Sequence, residues 1–281
     1  MNNYKKNILI TGCSSGIGFA TAKLLSNNGW QVFATCRKKS DVRKLINLGY
    51  SSYLLDYRDE KSIEKSLKEI LSQTNGNLTA LFNNGAYALP GALEDVPVEA
   101  MRQIFETNVF GWHHLTRRVI PIMKKQGYGR IIQCSSILGF ITLAYRGPYN
   151  STKWALEALS DTLRIELDKT NIHVISIRPG PINTKIKSNS THHFERWINW
   201  QKSHISKKYE DFLIPRLYEK GHHRFELEAE EVAKKVLTAL ESKNPKLVYN
   251  VTIPTYFMSY LIRLLPKSFF HKVLKFFSDP V

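Results

Sequence analysis

The stretch RIIQCSSILGFITLAYRGPYNSTK, residues 130–153, contains two adjacent serines, two tyrosines and a closing lysine. Tyr149 and Lys153 are four residues apart, so on a helix their side chains lie on one face. A free tyrosine, with a pKa near ~10, is too weak an acid to deliver a proton quickly at neutral pH. A unit positive charge ~4 Å away, at an effective dielectric of ~20, stabilises the phenolate by about 4 kcal/mol, enough to lower its pKa by about 3. The spacing therefore predicts an acid–base tyrosine tuned by a lysine.

The two tyrosines and the two serines can each be ranked. Pro148 suits the first position of a helix, which favours Tyr149 over Tyr145, and Tyr145 is predicted to be a loop or pocket residue. Sites in open α/β sheets lie beyond the carboxyl ends of strands, which favours Ser136 over Ser135 as the group that holds a substrate oxygen. Ser135 is predicted to be a strand-end residue that bonds the backbone. Alternation along the strand does not separate the two serines, because both faces of such a sheet are covered.

A second chemical motif is the glycine-rich run TGCSSGIG at residues 11–18, which follows the first apolar run directly. Glycines let the backbone turn tightly and approach a pyrophosphate, and the free N–H groups of the helix that follows favour an anion. The run therefore predicts a dinucleotide-binding turn. Its predicted cofactor contacts are Gly12, Ser14, Ser15, Gly16, Ile17 and Gly18.

The end of the second apolar run decides which dinucleotide is expected. An acidic residue usually holds a free ribose 2′-hydroxyl at this point, but here Cys36 is followed by Arg37, Lys38 and Lys39. Arginine can hold a 2′-phosphate with two parallel charge-assisted hydrogen bonds. We therefore predict NADP(H) rather than NAD(H), with Arg37 as the discriminating residue. The alternative is that these are exposed loop charges.

The elements that must position these residues alternate between short apolar runs and helical periodicity. Continuous apolar runs are typical of parallel strands buried on both faces, and a β-α-β rhythm predicts a doubly wound, seven-stranded parallel sheet with helices on both faces. One domain over residues 1–281 is the simplest organisation, with a substrate lid at 185–225 and an amphipathic tail at 252–281. Strands are predicted at residues 7–11, 31–35, 52–56, 80–83, 130–135, 173–178 and 246–250. Helices are predicted at residues 17–28, 41–48, 61–73, 108–126, 148–169 and 228–242, with another after Pro266.

Composition excludes several classes of protein. The 281 residues carry three cysteines without paired spacing, which argues against a disulfide framework or a zinc ribbon and fits a cytoplasmic location. No signal sequence, spanning apolar window or nucleic-acid module is apparent, despite a net charge of +16. Three adjacent histidine pairs, at 113–114, 192–193 and 222–223, have no metal-ligand spacing and are predicted to be surface or lid residues. No metal site is expected.

Together with NNGA at 83–86, Asn108 and PGPINT at 179–184, these motifs resemble the short-chain dehydrogenase/reductase family, in its hydroxysteroid and retinol dehydrogenase-like branch and its bacterial NADP-dependent aldehyde reductases. The resemblance covers about residues 7–250. It implies that Asn108, at the start of a helix, holds a water that links Lys153 to solvent, and it supports Ser136 by its thirteen-residue spacing from Tyr149. The other cofactor residues that it implies are Asp56 at the adenine, Asn83 beside the adenine ribose, Tyr149 and Lys153, with Lys153 bonded to the nicotinamide ribose, and Pro179, Gly180, Ile182 and Thr184 around the nicotinamide.

One position departs from that family. It usually has Asn-Asn-Ala-Gly where this chain has Asn-Asn-Gly85-Ala86, and Ala86 would be costly if its position needs a positive φ.

The expected function is NADPH-dependent reduction of an apolar aldehyde or ketone, or the reverse oxidation of an alcohol. The alternative is an NADP-sensing binding protein without turnover. The resemblance implies a homodimer or homotetramer.

The tail places Phe269, Phe270, Val273, Leu274, Phe276 and Phe277 at helical spacing, opposite Lys267, His271, Lys272 and Lys275. Such a helix can lie on an anionic membrane, cover an apolar substrate mouth, or pack on the domain or a second subunit.

Overall fold

The central feature of the fold is a parallel sheet of seven strands. A computed structural model describes residues 5–219 and 225–278. The strands, in chain order, are β1 Asn7–Ile10, β2 Gln31–Cys36, β3 Ser51–Leu54, β4 Ala80–Asn83, β5 Gly129–Cys134, β6 Ile172–Arg178, β7 Ile182–Asn183, β8 Leu227–Glu228 and β9 Val248–Asn250. The sheet has the order β3-β2-β1-β4-β5-β6-β9, and β7 and β8 form a separate pair. All seven predicted strands are present in the sheet, and the doubly wound class is confirmed.

The core lies on both faces of this sheet. Every residue of β1 and β4 is buried, which explains why their sequences are continuous apolar runs rather than alternating ones. In chain order, the helices are α1 Gly16–Asn27, α2 Lys39–Asn47, α3 Glu60–Gln73, α4 Val98–Phe105, α5 Gly111–Gln126, α6 Gly147–Glu166, α7 Ile186–Trp197, α8 Ser206–Lys208, α9 Ile214–Tyr218, α10 Ala229–Glu241, α11 Ile253–Leu264 and α12 Lys267–Ser278. They cover both faces of the sheet, with α1 packed on α10 and α3 on α5.

The predicted start of a helix at Asn108 is wrong. Helices α4 and α5 are joined by a π-helical turn, Glu106–Phe110, so helical backbone runs without a break from Val98 to Gln126. The sequence NVFGWHH offers a cap-like asparagine and a glycine, which resemble a helix start, but Asn108 lies inside the turn and is fully buried. Such turns insert one extra residue into a helix and occur often at functional sites.

The lid lies within the connection from β6 to β9, and the tail follows β9. The short parallel pair β7–β8 brackets the lid, whose described part contains α7, α8 and α9. The predicted histidine pair at 222–223 lies outside the described residues, as do residues 279–281 of the tail. Within 5–219 and 225–278, no helix is long and apolar enough to cross a membrane.

Candidate active site and cofactor cleft

The predicted tyrosine and lysine lie in the first two turns of α6, with Pro148 at its start. Both side chains are buried. Lys153 Nζ donates a hydrogen bond to Cys134 O at 2.7 Å, so the end of β5 holds the ammonium group in place. The same Nζ lies 4.6 Å from the ring centroid of Trp112 and 5.4 Å from that of Tyr149. The ammonium therefore sits in a cage of one carbonyl and two aromatic rings.

The ionisation of this pair differs from the expectation that Lys153 lowers the pKa of Tyr149. Burial is the largest influence on the phenol and raises its pKa, and a hydrogen-bonding interaction with Ser136 opposes that rise. Burial also lowers the pKa of Lys153 to about 8, against the favourable charges of Cys134 and Glu157. The cost of removing both groups from water, which a spacing of four residues does not reveal, is the dominant effect here.

The structure separates the two serines. Ser136 begins a 3₁₀ turn, Ile137–Gly139, where its Oγ accepts from the backbone N–H of Leu138 at 3.1 Å and lies against Tyr149. The Oγ of Ser135 instead points toward Gly139, where an added Cβ would lie 2.6 Å from it. Among the described residues this oxygen has no hydrogen-bond partner, so the expectation that it bonds the backbone is wrong. Only Ser136 is brought to the tyrosine.

Asn108 joins two elements through its side-chain amide. Its Oδ1 accepts from Tyr87 N at 3.1 Å, and its Nδ2 donates to Tyr87 O at 2.9 Å and to Thr152 Oγ1 at 3.3 Å. Thr152 directly precedes Lys153 in α6. The π-helical turn thereby ties the loop after β4 to the helix that carries the lysine.

The glycine run forms a cradle in which side chains have no room. Gly12 has φ +70°, and a Cβ there would lie 2.7 Å from Gly85 Cα. A Cβ on Gly18 would lie 2.4 Å from the carbonyl oxygen of Gly12. Ser15 precedes α1 without a side-chain cap, so the first N–H groups of α1 remain available to an anion. These residues fit a pyrophosphate group.

The predicted residues at 179–184 contact the glycine cradle, the turn that Ser136 begins and the start of α11. The methyl group of Thr184 is the nearest atom to the Cβ position of Gly16, at 3.1 Å. Pro179 O accepts from Ile137 N at 2.7 Å, which links this segment to the turn that Ser136 begins. Ile182 lies in β7, and Gly180 packs so closely on Thr252 that an added Cβ would lie 2.0 Å from its Oγ1.

The departure at Gly85-Ala86 carries no backbone strain. Ala86 is not among the residues with a positive φ. Gly85 is the residue in close contact, since its Cα faces Gly12 and its carbonyl oxygen accepts from Trp112 Nε1 at 2.8 Å. The expected cost at Ala86 is therefore absent.

Asn83 holds the sheet together. It is fully buried, and its Nδ2 donates to Thr116 Oγ1 and to Gln133 Oε1, both at 3.0 Å. Its Oδ1 accepts from the hydroxyl of Tyr57 at 2.7 Å. Both N–H groups and the oxygen of this amide are therefore engaged by other protein groups.

Arg37 and Asp56, the residues predicted for the adenosine end, line one cleft of about 350 Å³. We call it the basic cleft. Asp56 accepts from Arg58 N at 3.0 Å and lies 3.7 Å from the Arg58 guanidinium. Sequence reasoning missed Arg58, although its position two residues after Asp56 was a usable signal. The lining residues are Arg37, Lys38, Asp56, Arg58, Tyr87, Gln103, His192, His193 and Arg196.

Apolar side chains cover the other side of Tyr149. Tyr149 shares a buried cluster with Phe194, Ile198, Tyr209, Leu213 and Leu217 of the lid, and with Tyr87 and Leu89 of the loop after β4. A water-poor wall beside an acid–base tyrosine suits an apolar substrate.

A carboxylate that sequence reasoning missed anchors this lid. The hydroxyls of Ser203 and Tyr209 both donate to Asp95 Oδ2 at 2.8 Å, and Tyr209 Oη accepts from Ala92 N at 2.8 Å. Tyr145, predicted to be a loop or pocket residue, has φ +58° and places its ring 6.5 Å from that of Tyr209. No sequence spacing connects Asp95 to residues more than a hundred positions later, so only the fold reveals this anchor.

A phosphate-cradling turn on a doubly wound sheet, next to a buried serine–tyrosine–lysine set, defines the chain as an oxidoreductase built on a nucleotide-binding sheet. The family model of short chain dehydrogenases matches residues 6–194, and the chain belongs to the short-chain dehydrogenase/reductase family. It is 38% identical over 271 residues to the uncharacterised oxidoreductase YbbO of Escherichia coli K12, covering 96% of this chain and 94% of YbbO.

Two further relatives support the assignment. An NADPH-dependent 3-dehydrocapnine reductase of Ornithobacterium rhinotracheale is 31% identical over 280 residues, covering 96% of each chain. The solved structure of a short-chain dehydrogenase from Streptomyces avermitilis superposes with a TM-score of 0.77 at 25% identity, over 93% of this chain and 94% of that one.

Proposed function

We propose that this chain catalyses the NADPH-dependent reduction of an apolar aldehyde or ketone, or the reverse oxidation of an alcohol. When bound, the reduced nicotinamide supplies the hydride. Ser136 holds the substrate oxygen, and Tyr149 delivers a proton to that oxygen as negative charge develops on it. Lys153 stabilises the phenolate that remains. Asn108 fixes the helix that carries Lys153 to the loop after β4, and it holds the water of a proton relay.

The observation that carries this proposal is the burial of Tyr149 between Ser136, Lys153 and the apolar lid cluster. Burial keeps Tyr149 protonated at neutral pH, and the nearby Lys153 ammonium is proposed to offset the cost of forming the phenolate when the proton passes to the developing alkoxide. Polar substrates such as sugars would leave hydroxyl groups unpaired against this wall, which disfavours them.

NADPH is proposed as the cofactor because of the charge in the basic cleft. Arg37, Lys38 and Arg58 meet a single carboxylate there, Asp56. A 2′-phosphate would match this excess, whereas a 2′-hydroxyl would not. The 3-dehydrocapnine reductase, a full-length relative, is itself NADPH-dependent.

Turnover is tested by following NADPH absorbance with a panel of long-chain aldehydes, ketosteroids and retinal. Tyr149→Phe should abolish activity while NADPH affinity, read by fluorescence titration, stays unchanged. Tyr145→Phe is the matched control and should keep the chemical step. Activity that survives Tyr149→Phe would show that another group is the acid.

Cofactor choice is tested with Arg37→Ala. We expect about a tenfold or greater loss in kcat/KM for NADPH and little change for NADH, since a charge-assisted hydrogen bond contributes roughly 1.5–3 kcal/mol. Equal use of both cofactors by the unmodified protein, or an unchanged preference in the variant, contradicts the NADP assignment.

A further inference from the structure

The basic cleft has two walls from different parts of the chain. One wall is formed by Arg37 after β2 and by Asp56 and Arg58 after β3, where the proposed function places the adenosine 2′-phosphate. The opposite wall is α7 of the lid, through His192, His193 and Arg196. The lid therefore reaches past the substrate side of the site to the far end of the cofactor cleft.

The charges in the basic cleft are not balanced by the protein. Four cationic side chains face it, and Asp56 is its single carboxylate. Asp56 pairs with Arg58, whereas Arg37, Lys38 and Arg196 have no carboxylate within 4.0 Å in residues 5–219 and 225–278. Such a concentration of like charge is unfavourable until an anion enters.

His193 marks the inner end of the lid wall. Its ring stacks on Tyr87 at 3.9 Å between centroids and 22° between planes, and its buried Nδ1 has no hydrogen-bond partner in the described chain. Burial, followed by the positive charges of His192, Arg37 and Arg196, lowers the pKa of His193 to about 4. The ring is thus neutral at pH 7 and can donate or accept one further hydrogen bond.

We propose that α7 forms the second wall of the 2′-phosphate site, which we call the clamp. In it, Arg196 and the two histidines would bind the phosphate from the side of the cleft opposite Arg37. This inference rests on the proposed use of NADP(H). It makes the lid part of cofactor recognition, and because α7 also carries Phe194 of the apolar cluster, phosphate binding would order the substrate pocket.

The clamp is tested with 2′,5′-ADP and 5′-AMP as probes in calorimetric titrations. Arg196→Ala should weaken 2′,5′-ADP binding by about three- to tenfold, since Arg196 is exposed and its ion pair is screened, and should leave 5′-AMP binding unchanged. Lys202→Ala, a lid lysine outside the cleft, is the matched control and should change neither. Affinity for 2′,5′-ADP that is unchanged in Arg196→Ala overturns the clamp.

The comparison with Arg37→Ala separates this failure from failure of the proposed function. If Arg37→Ala weakens 2′,5′-ADP and Arg196→Ala does not, the NADP assignment stands and the clamp is wrong. If neither variant changes it, both are wrong. As a second readout, 2′,5′-ADP should slow tryptic cleavage at Lys202 and Lys207 in the unmodified protein and not in Arg196→Ala.

The apolar residues of α11 and α12 are divided between a face packed on the domain and a face exposed to solvent. Phe270 and Leu274, predicted on the apolar face, are buried against Phe140 and Ile141 with Met258. Leu261, Ile262, Leu265 and Val273 are partly buried against the same cluster. Eight other large apolar side chains are exposed, including Leu264 at 77%, Ile253 at 70% and Phe276 at 70%. The exposed face, which we call the tail face, consists of Ile253, Tyr256, Phe257, Tyr260, Leu264, Phe269, Phe276 and Phe277.

The charged side chains of the segment that bears the tail face have one sign. Residues 252–278 contain Arg263, Lys267, Lys272 and Lys275 and no acidic residue. Aromatic and aliphatic side chains bordered by cations match the boundary between head groups and acyl chains of an anionic bilayer. The helices beneath pack on residues 137–141, directly after Ser136.

We infer that the tail face docks the protein on an anionic lipid surface, next to the turn that bears Ser136. Flotation with phosphatidylcholine vesicles containing phosphatidylglycerol should recover the protein at low salt, and less of it at high salt or without phosphatidylglycerol. Phe257→Ser combined with Phe276→Ser should abolish recovery. Ile165→Ser, at an exposed apolar residue on α6, is the control and should not.

Flotation of the double variant equal to that of the unmodified protein overturns this docking surface. A shift from dimer to monomer in the double variant, with no vesicle binding by either protein, would mean instead that a second copy covers the tail face.

Discussion

Replacing Lys153 by methionine should remove activity and yet stabilise the fold at neutral pH. Lys153 is 2% exposed, and burial lowers its pKa from 10.5 to about 8. A difference of that size corresponds to roughly 3 kcal/mol by which the folded state disfavours the charged amine. Methionine fills a similar volume without the charge, and such replacements of buried ions are often neutral or stabilising.

The pH dependence gives the sharper test. Below about pH 8 the amine is protonated in both the folded and the unfolded chain, so the folded state carries the whole cost. Between the folded pKa of about 8 and the unfolded value of 10.5 the folded chain releases its proton first, and its stability rises with pH. Relative to Lys153→Met, the unmodified protein should therefore gain roughly 2–3 kcal/mol between about pH 7 and about pH 10.

The measurement is urea denaturation of both proteins at several pH values, with Lys68→Met as the control, since Lys68 is exposed on α3. The lost hydrogen bond to Cys134 O offsets part of the gain, by about 1–2 kcal/mol, so a net stabilisation of about 1–2 kcal/mol is expected near pH 7. A free-energy difference that does not change with pH would refute the reasoning, because it would mean that Lys153 is not desolvated in the folded chain.

Three further predictions follow from the same geometry. Ser136→Ala should lower kcat by about 10²–10³-fold, as expected for removal of a donor to a developing oxyanion, whereas Ser135→Ala should leave kcat within a few-fold because its hydroxyl touches no partner. Gly85→Ala should change the denaturation free energy by less than about 1 kcal/mol, because φ is not positive there and the added Cβ would be 3.3 Å from its nearest neighbour. Glu157→Gln should cost about 3 kcal/mol, or roughly 6 °C in Tm by calorimetry, because Arg178 makes two hydrogen bonds of 2.8 Å to the Glu157 carboxylate.

The sheet and the glycine turn were predictable because their physics is local. Strands buried on both faces must be continuously apolar, and Gly12 and Gly16 have positive φ, at +70° and +57°. The one-turn relation of Tyr149 to Lys153 is local in the same sense. Patterns that depend on neighbours in the chain can be read without the fold.

The features that were missed depend on contacts between distant segments. Asp95 bonds Ser203 and Tyr209, which lie 108 and 114 positions later in the chain. The π-helical turn around Asn108 accompanies the hydrogen bonds of its side chain to Tyr87, in the loop after β4. The cost expected at Ala86 assumed a positive φ, which is set by the surrounding fold and does not occur there. The pKa of Tyr149 was mispredicted because burial cannot be read from a spacing.

Ser136 and Tyr149 lie where contacts from the lid and from the tail both reach the site. The turn after Ser136 is held by Pro179 O on one side and by the apolar contacts of Phe140 and Ile141 with α11 and α12 on the other. Tyr149, which Ser136 contacts, packs against the lid cluster. Contacts from the lid and from the tail therefore both reach the two hydroxyls that would hold the substrate oxygen, whereas the ammonium of Lys153 is held by the end of β5. Substrate fit and the lysine that would support the tyrosine thus depend on different parts of the fold, so we expect variation of the lid and tail to change the preferred substrate with little effect on Lys153.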